Sequence, residues 1–320
     1  MPYTVVPLTA EHLEPALALW LACYEREREA NPLLPPRAAA DSGWIRDALR
    51  AQLAKPGVAI TEQGRLLGYM VAGKRFRWKG QQAALVPEYG HAAAPANTPT
   101  LYQRMYMRLA QQWADEGVHL HLIGHLAHDG ALQETLYQLG FGAIVAERLR
   151  DLAAVPGAAQ VAIVEEQDAR KLVGLQMEHM RYYPRSPIFI HKPTDEREAL
   201  AELEDHLRQG DAILTAYEGQ EPSACFIVGE SAVGAEGFLL QRTNTAQVKS
   251  AYARPETRGR GIGAALLQGA VAWARQHGYA RLFVEHETAN VYGGNFWRKH
   301  FAPYVHFSMR YIDNTIGGAA

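Results

Sequence analysis

The sequence has little cysteine, no long apolar run and no excess of charge of either sign. Cys23 and Cys225 are its two cysteines, too few for a disulfide framework or a cysteine-rich metal site. No run of about 18 apolar residues occurs, and the N-terminus lacks the basic and apolar regions of a secretion signal. The 32 basic and 34 acidic side chains leave a net charge of -2, which gives no sign of a polyanionic partner. We therefore expect a cytoplasmic protein with no metal, membrane or nucleic-acid partner.

The two halves of the sequence share a pattern. Trp113 and Trp273 each lie near the end of an amphipathic segment that precedes an apolar strand, and Phe141 and Phe301 each follow the next helical segment. The members of each pair are 160 residues apart. Each half also opens with a short apolar strand and then a helix that begins with polar residues. The repeat indicates a tandem duplication, with domains over residues 1–150 and 159–320.

The junction between the halves is predicted near residues 151–160, where Pro156 and Gly157 interrupt a stretch of small residues. Within each half the predicted order is strand, helix, loop-rich region, several strands, one long helix, strand, helix and final strand. Hairpin turns are predicted at Gln63-Gly64 and at Gly219-Gln220. This order of elements places both halves in the α+β class.

The sharpest motif is a glycine-rich turn between a predicted strand and a predicted helix. The strand over residues 246–253 leads through Pro255 to the sequence Arg258-Gly259-Arg260-Gly261-Ile262-Gly263, and an amphipathic helix then runs to Gly278. Glycines allow a tight turn that presents consecutive backbone N–H groups to an anion, the helix N-terminus adds partial positive charge, and the two arginines add full charges. We therefore predict a pyrophosphate-binding site, with a glycine-rich turn entering a surface helix as the simpler structural alternative.

The same residues allow a second class of ligand. Gly259, Gly261 and Ala264 match the G-x-G-x-x-A form of the dinucleotide-binding motif, and Glu285 ends the next strand about 20 residues later. In a dinucleotide fold the strand runs almost directly into the first glycine, whereas residues 255–258 intervene here, and little chain follows for further βα units. A Walker phosphate loop is excluded because no G-x-x-x-x-G-K-[ST] sequence occurs.

These residues resemble the GNAT acyltransferase superfamily. The acyl-CoA loop of that family has Arg or Gln, two residues, Gly, one residue, then Gly or Ala, and it is matched by Arg258, Gly261 and Gly263. A second family signature follows the next strand and is matched by Asn290, Gly293, Phe296, Trp297, Lys299 and Phe301. The resemblance implies two tandem GNAT-like domains, each a mixed, mostly antiparallel sheet flanked by helices, with acetyl-CoA as a co-substrate.

The sequence departs from the family pattern at several positions. Trp297 stands where family members often carry a tyrosine that protonates the departing thiolate, and His300 stands where a glycine is usual. In the first half, residues 98–103 occupy the position of the loop and contain neither glycine nor arginine. We therefore expect residues 1–150 to form a degenerate domain without a phosphate loop, which resembles the arrangement of tandem acetyltransferases of the mycothiol-synthase type.

The resemblance also implies which residues bind acetyl-CoA. In this family the strand before the loop splays from the next strand, so free N–H groups near Ala251 and Ala253 would meet the pantetheine arm and the acetyl carbonyl. The implied cofactor-binding set is Ala251, Ala253, Arg258, Gly259, Arg260, Gly261, Ile262, Gly263, Ala264 and Asn290.

Acetyl transfer to an amine also requires a group that removes a proton from the nitrogen. Glu285 and His286 end the strand before Asn290 and point to opposite faces, because strand residues alternate. Either is a candidate base or water relay, with solvated strand-end residues as the alternative. Tyr292 is a candidate acid in place of Trp297, although a thiolate whose acid has a pKa near 8.5 also leaves unaided. The same alternation argues against a metal site in the Glu-His-Glu sequence.

Acceptor contacts are expected in residues 177–191, in the loop-helix region that covers the acceptor site in this family. The candidate substrate-binding residues are His179, Tyr182 and Tyr183, and an aromatic core with a proline-rich connection is the alternative explanation.

These features predict an N-acetyltransferase that moves an acetyl group from acetyl-CoA to a primary amine of a small-molecule acceptor by direct attack. Residues 159–320 would be the catalytic half. The chain is expected to be a monomer or a weak homodimer, since its two domains replace a pair of subunits. Two alternatives stay open. One is a catalytically silent acyl-CoA sensor or scaffold, favoured by Trp297, and the other is a nicotinamide-dependent enzyme.

Overall fold

A computed structural model of the chain describes residues 3–36, 42–231 and 237–316. The strands are β1 (Thr4–Leu8), β2 (Gly57–Glu62), β3 (Arg65–Met70), β4 (Lys74–Trp78), β5 (Gln81–Val86), β6 (His91–Ala93), β7 (Leu120–Leu126), β8 (Gly142–Asp151), β9 (Ile163–Glu165), β10 (Ala212–Glu218), β11 (Glu221–Glu230), β12 (Thr245–Ala253), β13 (Arg281–Glu287) and β14 (Ala302–Tyr311). The α-helices are α1 (Leu13–Ala30), α2 (Gly43–Gln52), α3 (Thr98–Asp115), α4 (Gly130–Gln138), α5 (Val173–Tyr182), α6 (Glu196–Arg208), α7 (Ile262–Gln276) and α8 (Val291–His300). Over the described ranges, no helix is both long enough and apolar enough to cross a membrane.

The chain divides into two compact units. The first unit consists of Met1–Ala146 with Pro303–Ala320, and the second unit is Glu147–Ala302. This division differs from the single junction that the sequence predicts at residues 151–160. The reason is the last strand: β14 pairs antiparallel with β7, which places it in the first unit. Residues 151–160 lie inside the second unit, because that unit begins at Glu147.

The first unit contains two sheets, with strand orders β1-β2-β3-β6 and β4-β5-β7-β14. The predicted hairpin at Gln63-Gly64 is confirmed, since both residues have the positive φ that joins β2 to β3 tightly. Helix α3 begins at Thr98 directly after a short 3-10 helix, Pro95–Asn97, and has a proline in its first turn. Proline carries no N–H, so this helix start presents fewer donors to an anion than a glycine-rich turn does.

The second unit has a central sheet with strand order β13-β12-β11-β10-β9. Strands β12 and β13 run parallel, and the pairs β11–β12, β10–β11 and β9–β10 are antiparallel. One face packs against α7 and α8 through a core that includes Leu266, Val271 and Trp297. The other face packs against α6 through Leu203 and Ile227. The mixed sheet flanked by helices confirms the α+β class.

The duplicated pattern recurs in the strand pairing of the two units. In each half of the sequence a parallel pair of four residues precedes the last helix and the last strand: Ala83–Val86 pairs with Leu120–Ile123, and Thr245–Val248 pairs with Arg281–Val284. Trp113 lies near the end of α3 and Trp273 near the end of α7, and both are buried. The repeat seen in the sequence therefore corresponds to a repeat of supersecondary structure.

Candidate functional site

Strands β12 and β13 separate in the middle of the second unit. Within the described residues their parallel pairing ends at Val248 and Val284. At the same point the pairing of β12 with β11 skips Lys249, because Val248 and Ser250 lie opposite consecutive residues of β11. A bulge of this kind bends a strand and increases its twist. Lys249 therefore marks the point where β12 turns away from β13.

The bulge also determines which side chains of β12 face helix α7. Ala246 and Val248 are buried in the core against α7, and beyond the bulge Ala251 and Ala253 pack against the same core. With regular alternation Ala251 would face away from Val248, since the two are three residues apart. Backbone groups on the edge of β12 beyond Val248 have no ladder partner from β13 and need another partner, such as water or a ligand.

A buried carboxylate holds the bulge in place. Lys249 Nζ donates to both carboxylate oxygens of Asp211 at 2.8 Å, and His206 Nδ1 lies 2.7 Å from the same carboxylate. The Asp211 side chain is 3% exposed and that of Lys249 is 15% exposed. Removal of one member of such a pair destabilises the fold, because the remaining buried charge then has no counter-ion.

We expect Asp211→Asn to destabilise the second unit by about 3 kcal/mol, because Lys249 then stays largely buried without its counter-ion. Hydrogen exchange of the β10–β12 amides under increasing urea measures this locally. The control is Asp205→Asn in the same unit, where Asp205 pairs with Arg208 on the surface and should contribute under about 0.5 kcal/mol. Equal effects of the two substitutions would show that Asp211 does not hold the bulge.

The glycine-rich turn after β12 leads into the N-terminus of α7. Gly259 and Gly261 have φ of +76° and +80°, which favour glycine, and Gly261 is the N-cap of α7 with no side-chain hydrogen bond to that cap. The first hydrogen bond of the helix is donated by Ala265 N to Gly261 O at 3.0 Å. The N–H groups of residues 262–264 precede it, so they are available to an anion.

The turn is packed tightly against the segment that the sequence predicts as the junction between domains. A Cβ on Gly261 would lie 2.8 Å from Gly157 O. In addition, Ala159 N donates to Gly261 O at 3.1 Å. A side chain at position 261 therefore cannot be accommodated without moving backbone.

Arg258 is held between two tyrosine rings. Its guanidinium carbon lies 5.1 Å from the ring centre of Tyr182 and 5.2 Å from that of Tyr292, and its Nε donates to Ala253 O at 3.0 Å. These distances allow cation–π attraction to both rings. Arg260, by contrast, forms an ion pair with Glu218 on the surface. Of the two arginines predicted to supply charge, Arg258 is the one built into the site.

Asn290 connects this arginine to helix α8. Asn290 Oδ1 accepts hydrogen bonds from Gly293 N at 3.1 Å and from the Tyr182 hydroxyl at 3.2 Å, so it caps α8 and positions Tyr182. A Cβ on Gly293 would lie 2.9 Å from Asn290 Nδ2. The small residue three positions after the asparagine is therefore required for the cap.

A cavity of about 430 Å³ joins the turn to the gap between β12 and β13. Eleven of the predicted site residues line it: His179, Tyr182, Ala251, Ala253, Arg258, Gly259, Gly261, Gly263, Ala264, Asn290 and Tyr292. Its walls also include residues without a predicted contact role, among them Gly157, Tyr252, Phe296, Trp297 and Lys299. Of the predicted residues of the turn, Arg260 and Ile262 are not among the lining residues.

A second cavity of about 370 Å³ lies along the preceding residues of β12. Three further predicted residues line it, Tyr183, Glu285 and His286, together with Gln247, Lys249, Glu287, Lys192, His206 and Gln209. Along β12 the second cavity has residues 247–249 and the first has residues 251–253. The two cavities thus lie on successive stretches of the strand that turns away from β13.

Glu285 and His286 differ in how they are held. Arg148 Nε donates to His286 Nε2 at 3.1 Å, and His286 Nδ1 lies 3.1 Å from Glu287 O, to which it donates. A lone pair that already accepts from a cation is a poor proton acceptor. Glu285 lies on the opposite face of β13, next to Tyr183, whose pKa is raised by burial and by the nearby carboxylates of Glu287 and Glu285. The geometry therefore favours Glu285 over His286 as a base.

Residues 177–301 match the model of the family described as "Acetyltransferase (GNAT) family". The second unit contains a GNAT acetyltransferase domain. The family implies transfer of an acyl group from acyl-CoA, as the motifs at Arg258 and Asn290 predict. The finer resemblance to acetyltransferases of the mycothiol-synthase type stays a prediction. No curated protein with a matching sequence was found.

The fold of the chain is also seen in solved structures. A GCN5-related N-acetyltransferase from Sphaerobacter thermophilus is similar with a TM-score of 0.58 and 12% identity, over 97% of this chain and 96% of that one. A GCN5-related glucosamine N-acetyltransferase region of a fungal multi-domain GH3 β-N-acetylglucosaminidase is similar with a TM-score of 0.53 and 13% identity, over 96% of this chain and 38% of that one. At these identities the likeness is one of fold, and it extends over both halves of the chain.

Proposed function

We propose that the second unit transfers an acetyl group from acetyl-CoA to a primary amine of a small molecule. The observation that carries this proposal is the single cavity that runs from the anion-binding turn at Gly259–Gly261 to the gap between β12 and β13. The gap would receive the thioester, and the second cavity at Glu285 would receive the amine. The family match over residues 177–301 supports this direction of chemistry.

The residues at the turn fit the diphosphate of acetyl-CoA. A Cβ at Gly259 would have no protein atom within 4 Å, and Gly259 lines the first cavity, so the backbone of the turn is open to an anion there. The N–H groups of residues 262–264 and the Arg258 guanidinium supply donors and positive charge for the phosphates. The edge of β12 at Ala251 and Ala253 supplies backbone groups for the pantetheine arm.

Bound acetyl-CoA supplies an activated acyl group: the amine nitrogen bonds to the carbonyl carbon, the carbon–sulfur bond breaks with its electron pair on sulfur, and one nitrogen proton is lost. The products are an amide and the CoA thiolate, which takes up a proton from solvent to give the thiol. Glu285 is proposed to accept that proton on a carboxylate oxygen, directly or through water. The hydrogen bond from Arg148 Nε to His286 Nε2 orients the His286 ring on the other face of β13. Tyr292 is 64% exposed and stacks on Arg258, so we assign it to the phosphate end of the site rather than to the thioester.

A second candidate function is a silent acyl-CoA sensor or scaffold. It is favoured by Trp297, which stands where family members often carry a tyrosine acid and is buried against Phe226 and Phe301. An indole there forms the floor of the first cavity and donates no proton to a thiolate. Amine-dependent release of thiol separates the two functions.

Calorimetric titration with acetyl-CoA and, separately, with NADH tests the ligand class. We expect one equivalent of acetyl-CoA per chain and no binding of NADH, because α3 in the first unit begins after Pro95–Asn97 without a glycine-rich turn. Two equivalent sites per chain, or tight binding of NADH instead of acetyl-CoA, would contradict the proposal.

Tyr182 is expected to contribute to cofactor affinity rather than to the chemical step. Tyr182→Leu removes the ring beside Arg258 and the hydrogen bond to Asn290, so the Kd for acetyl-CoA should rise about tenfold with kcat at saturation retained. Tyr182→Phe keeps the ring and loses only the hydrogen bond, so its Kd should rise about two- to threefold. Wild-type affinity in Tyr182→Leu would show that Arg258 is positioned without this tyrosine.

A further inference from the structure

His179 on α5 is a buried histidine without a hydrogen bond. It is 6% exposed and lines the first cavity. Its Nδ1 is inaccessible and, among the described residues, neither ring nitrogen has a hydrogen-bond partner. A buried polar group left in this state destabilises the fold. Its retention calls for an explanation.

Other buried histidines of the chain are satisfied at both ring nitrogens. His91 bonds to Tyr102 and Gly124, and His121 bonds to Tyr106 and Val118. His286 is similarly engaged by Arg148 and a backbone carbonyl. His179 differs from these in that, among the described residues, neither of its ring nitrogens has a partner while its ring lines the first cavity.

The ring of His179 lies where the two cavities meet. It stacks on Tyr252 of the first cavity, with ring centres 5.0 Å apart and planes 28° apart. It also contacts Tyr183 of the second cavity, with ring centres 5.2 Å apart. Tyr252 lies on β12, three residues beyond the bulge at Lys249. His179 therefore stands beside the gap between β12 and β13, where the thioester would meet the amine.

We propose that Nε2–H of His179, the ring nitrogen that is not inaccessible, donates a hydrogen bond to the acyl carbonyl oxygen of bound acetyl-CoA, an inference that rests on the proposed function. The donor then stabilises the negative charge that develops on this oxygen as the nitrogen attacks. No proton is transferred by His179 in this role. It is a catalytic residue distinct from Glu285, which takes the proton.

The electrostatic setting favours a donor over a base. Burial, with the nearby Lys192 cation as a second cause, lowers the pKa of His179 to about 3. The other titratable groups against the ring, Tyr183 and Tyr252, have pKa values raised by burial, so they are neutral at neutral pH. The imidazole is therefore neutral above about pH 4 and always carries one N–H, whereas its basicity is too low to deprotonate an ammonium group.

Infrared spectroscopy of [1-13C]acetyl-CoA bound to the full chain tests this hydrogen bond without turnover. The bound carbonyl stretch in the wild type should lie below that of free acetyl-CoA, because hydrogen bonding weakens the C=O bond. In His179→Phe, which keeps an aromatic ring against Tyr252, most of this shift should be lost while the Kd for acetyl-CoA changes less than threefold. His179→Asn and His179→Gln keep an N–H donor and should recover part of the shift.

The kinetic expectation is a lower kcat with an unchanged pH profile. His179→Phe should lower kcat about 10²-fold, the scale for loss of one donor to a developing oxyanion, and KM for acetyl-CoA should be retained. A wild-type carbonyl frequency in His179→Phe, or a pH profile displaced by the substitution, would overturn the inference and leave the proposed function standing. A wild-type chain that binds no acetyl-CoA would overturn both.

Discussion

Acetyl-CoA binding is expected to be abolished by Arg258→Glu combined with Gly261→Ala. The first change replaces the cation held between Tyr182 and Tyr292 with an anion that repels phosphate. The second places a Cβ 2.8 Å from Gly157 O and displaces the N–H groups at the start of α7. Loss of a charge-assisted hydrogen bond costs about 1.5–3 kcal/mol, and the displaced backbone donors add a comparable amount, so the Kd should rise about 10²- to 10⁴-fold.

The matched control separates binding from backbone strain and net charge. Gly64 has the same φ of +80° as Gly261, but nothing lies within 4 Å of a Cβ there, so Gly64→Ala carries the strain without the clash. Arg170→Glu reverses an exposed charge of the second unit away from the turn. Calorimetry should find wild-type affinity in this control pair. An affinity within about threefold of wild type in the Arg258 and Gly261 double variant would rule out the turn as the phosphate site.

Loss of catalysis with binding intact is the expected result for Glu285→Gln. Glutamine keeps the size of the side chain and removes its basicity, so kcat should fall about 10²-fold, the low end for a lost general base. The Kd for acetyl-CoA should be unchanged, because Glu285 lines the second cavity and not the first. Wild-type activity should rise with pH as the amine loses its proton, and in Glu285→Gln this rise should move to higher pH.

Glu204→Gln is the control for Glu285→Gln, because Glu204 is an exposed residue of α6 in the same unit and its loss changes the net charge equally. Steady-state kinetics across pH, with an accepted amine at saturation, gives kcat for both variants. If Glu285→Gln has the kcat and pH profile of the control, Glu285 is a solvated strand-end residue and water takes the proton.

The loop end of the site could be predicted because its parts are contiguous in sequence. The strand, the glycines with positive φ and the start of α7 all fall within residues 245–276, and local chemistry dictates each of them. The Asn290 signature is also local, since Asn290 caps α8 by accepting a hydrogen bond from Gly293 N, three residues later. Nine of the eleven predicted residues that line the first cavity come from these two segments, and the other two, His179 and Tyr182, lie on α5.

The amine side of the site could not be predicted in the same way. Gln247 and Lys249 lie on β12 next to the expected splay, so their position in the sequence could have indicated them. His206, Gln209 and Lys192 come from other segments, which only tertiary packing brings to β13. The pairing of Arg260 with Glu218 and the approach of Gly157 to Gly261 are also long-range contacts. The pairing of the last strand, β14, with β7 of the first unit is a long-range contact as well.

Amine-dependent release of CoA thiol, with the product identified by mass spectrometry, tests the proposed acetyl transfer most directly. Full-length protein is incubated with acetyl-CoA and a panel of small primary amines, and both products are quantified. We expect at least one amine to gain an acetyl group in an amount equal to the thiol released. Glu285→Gln should slow both amine acetylation and thiol release. Tight binding of acetyl-CoA with no acetylated amine across the panel would contradict the proposed acetyl transfer and identify a silent acyl-CoA-binding protein.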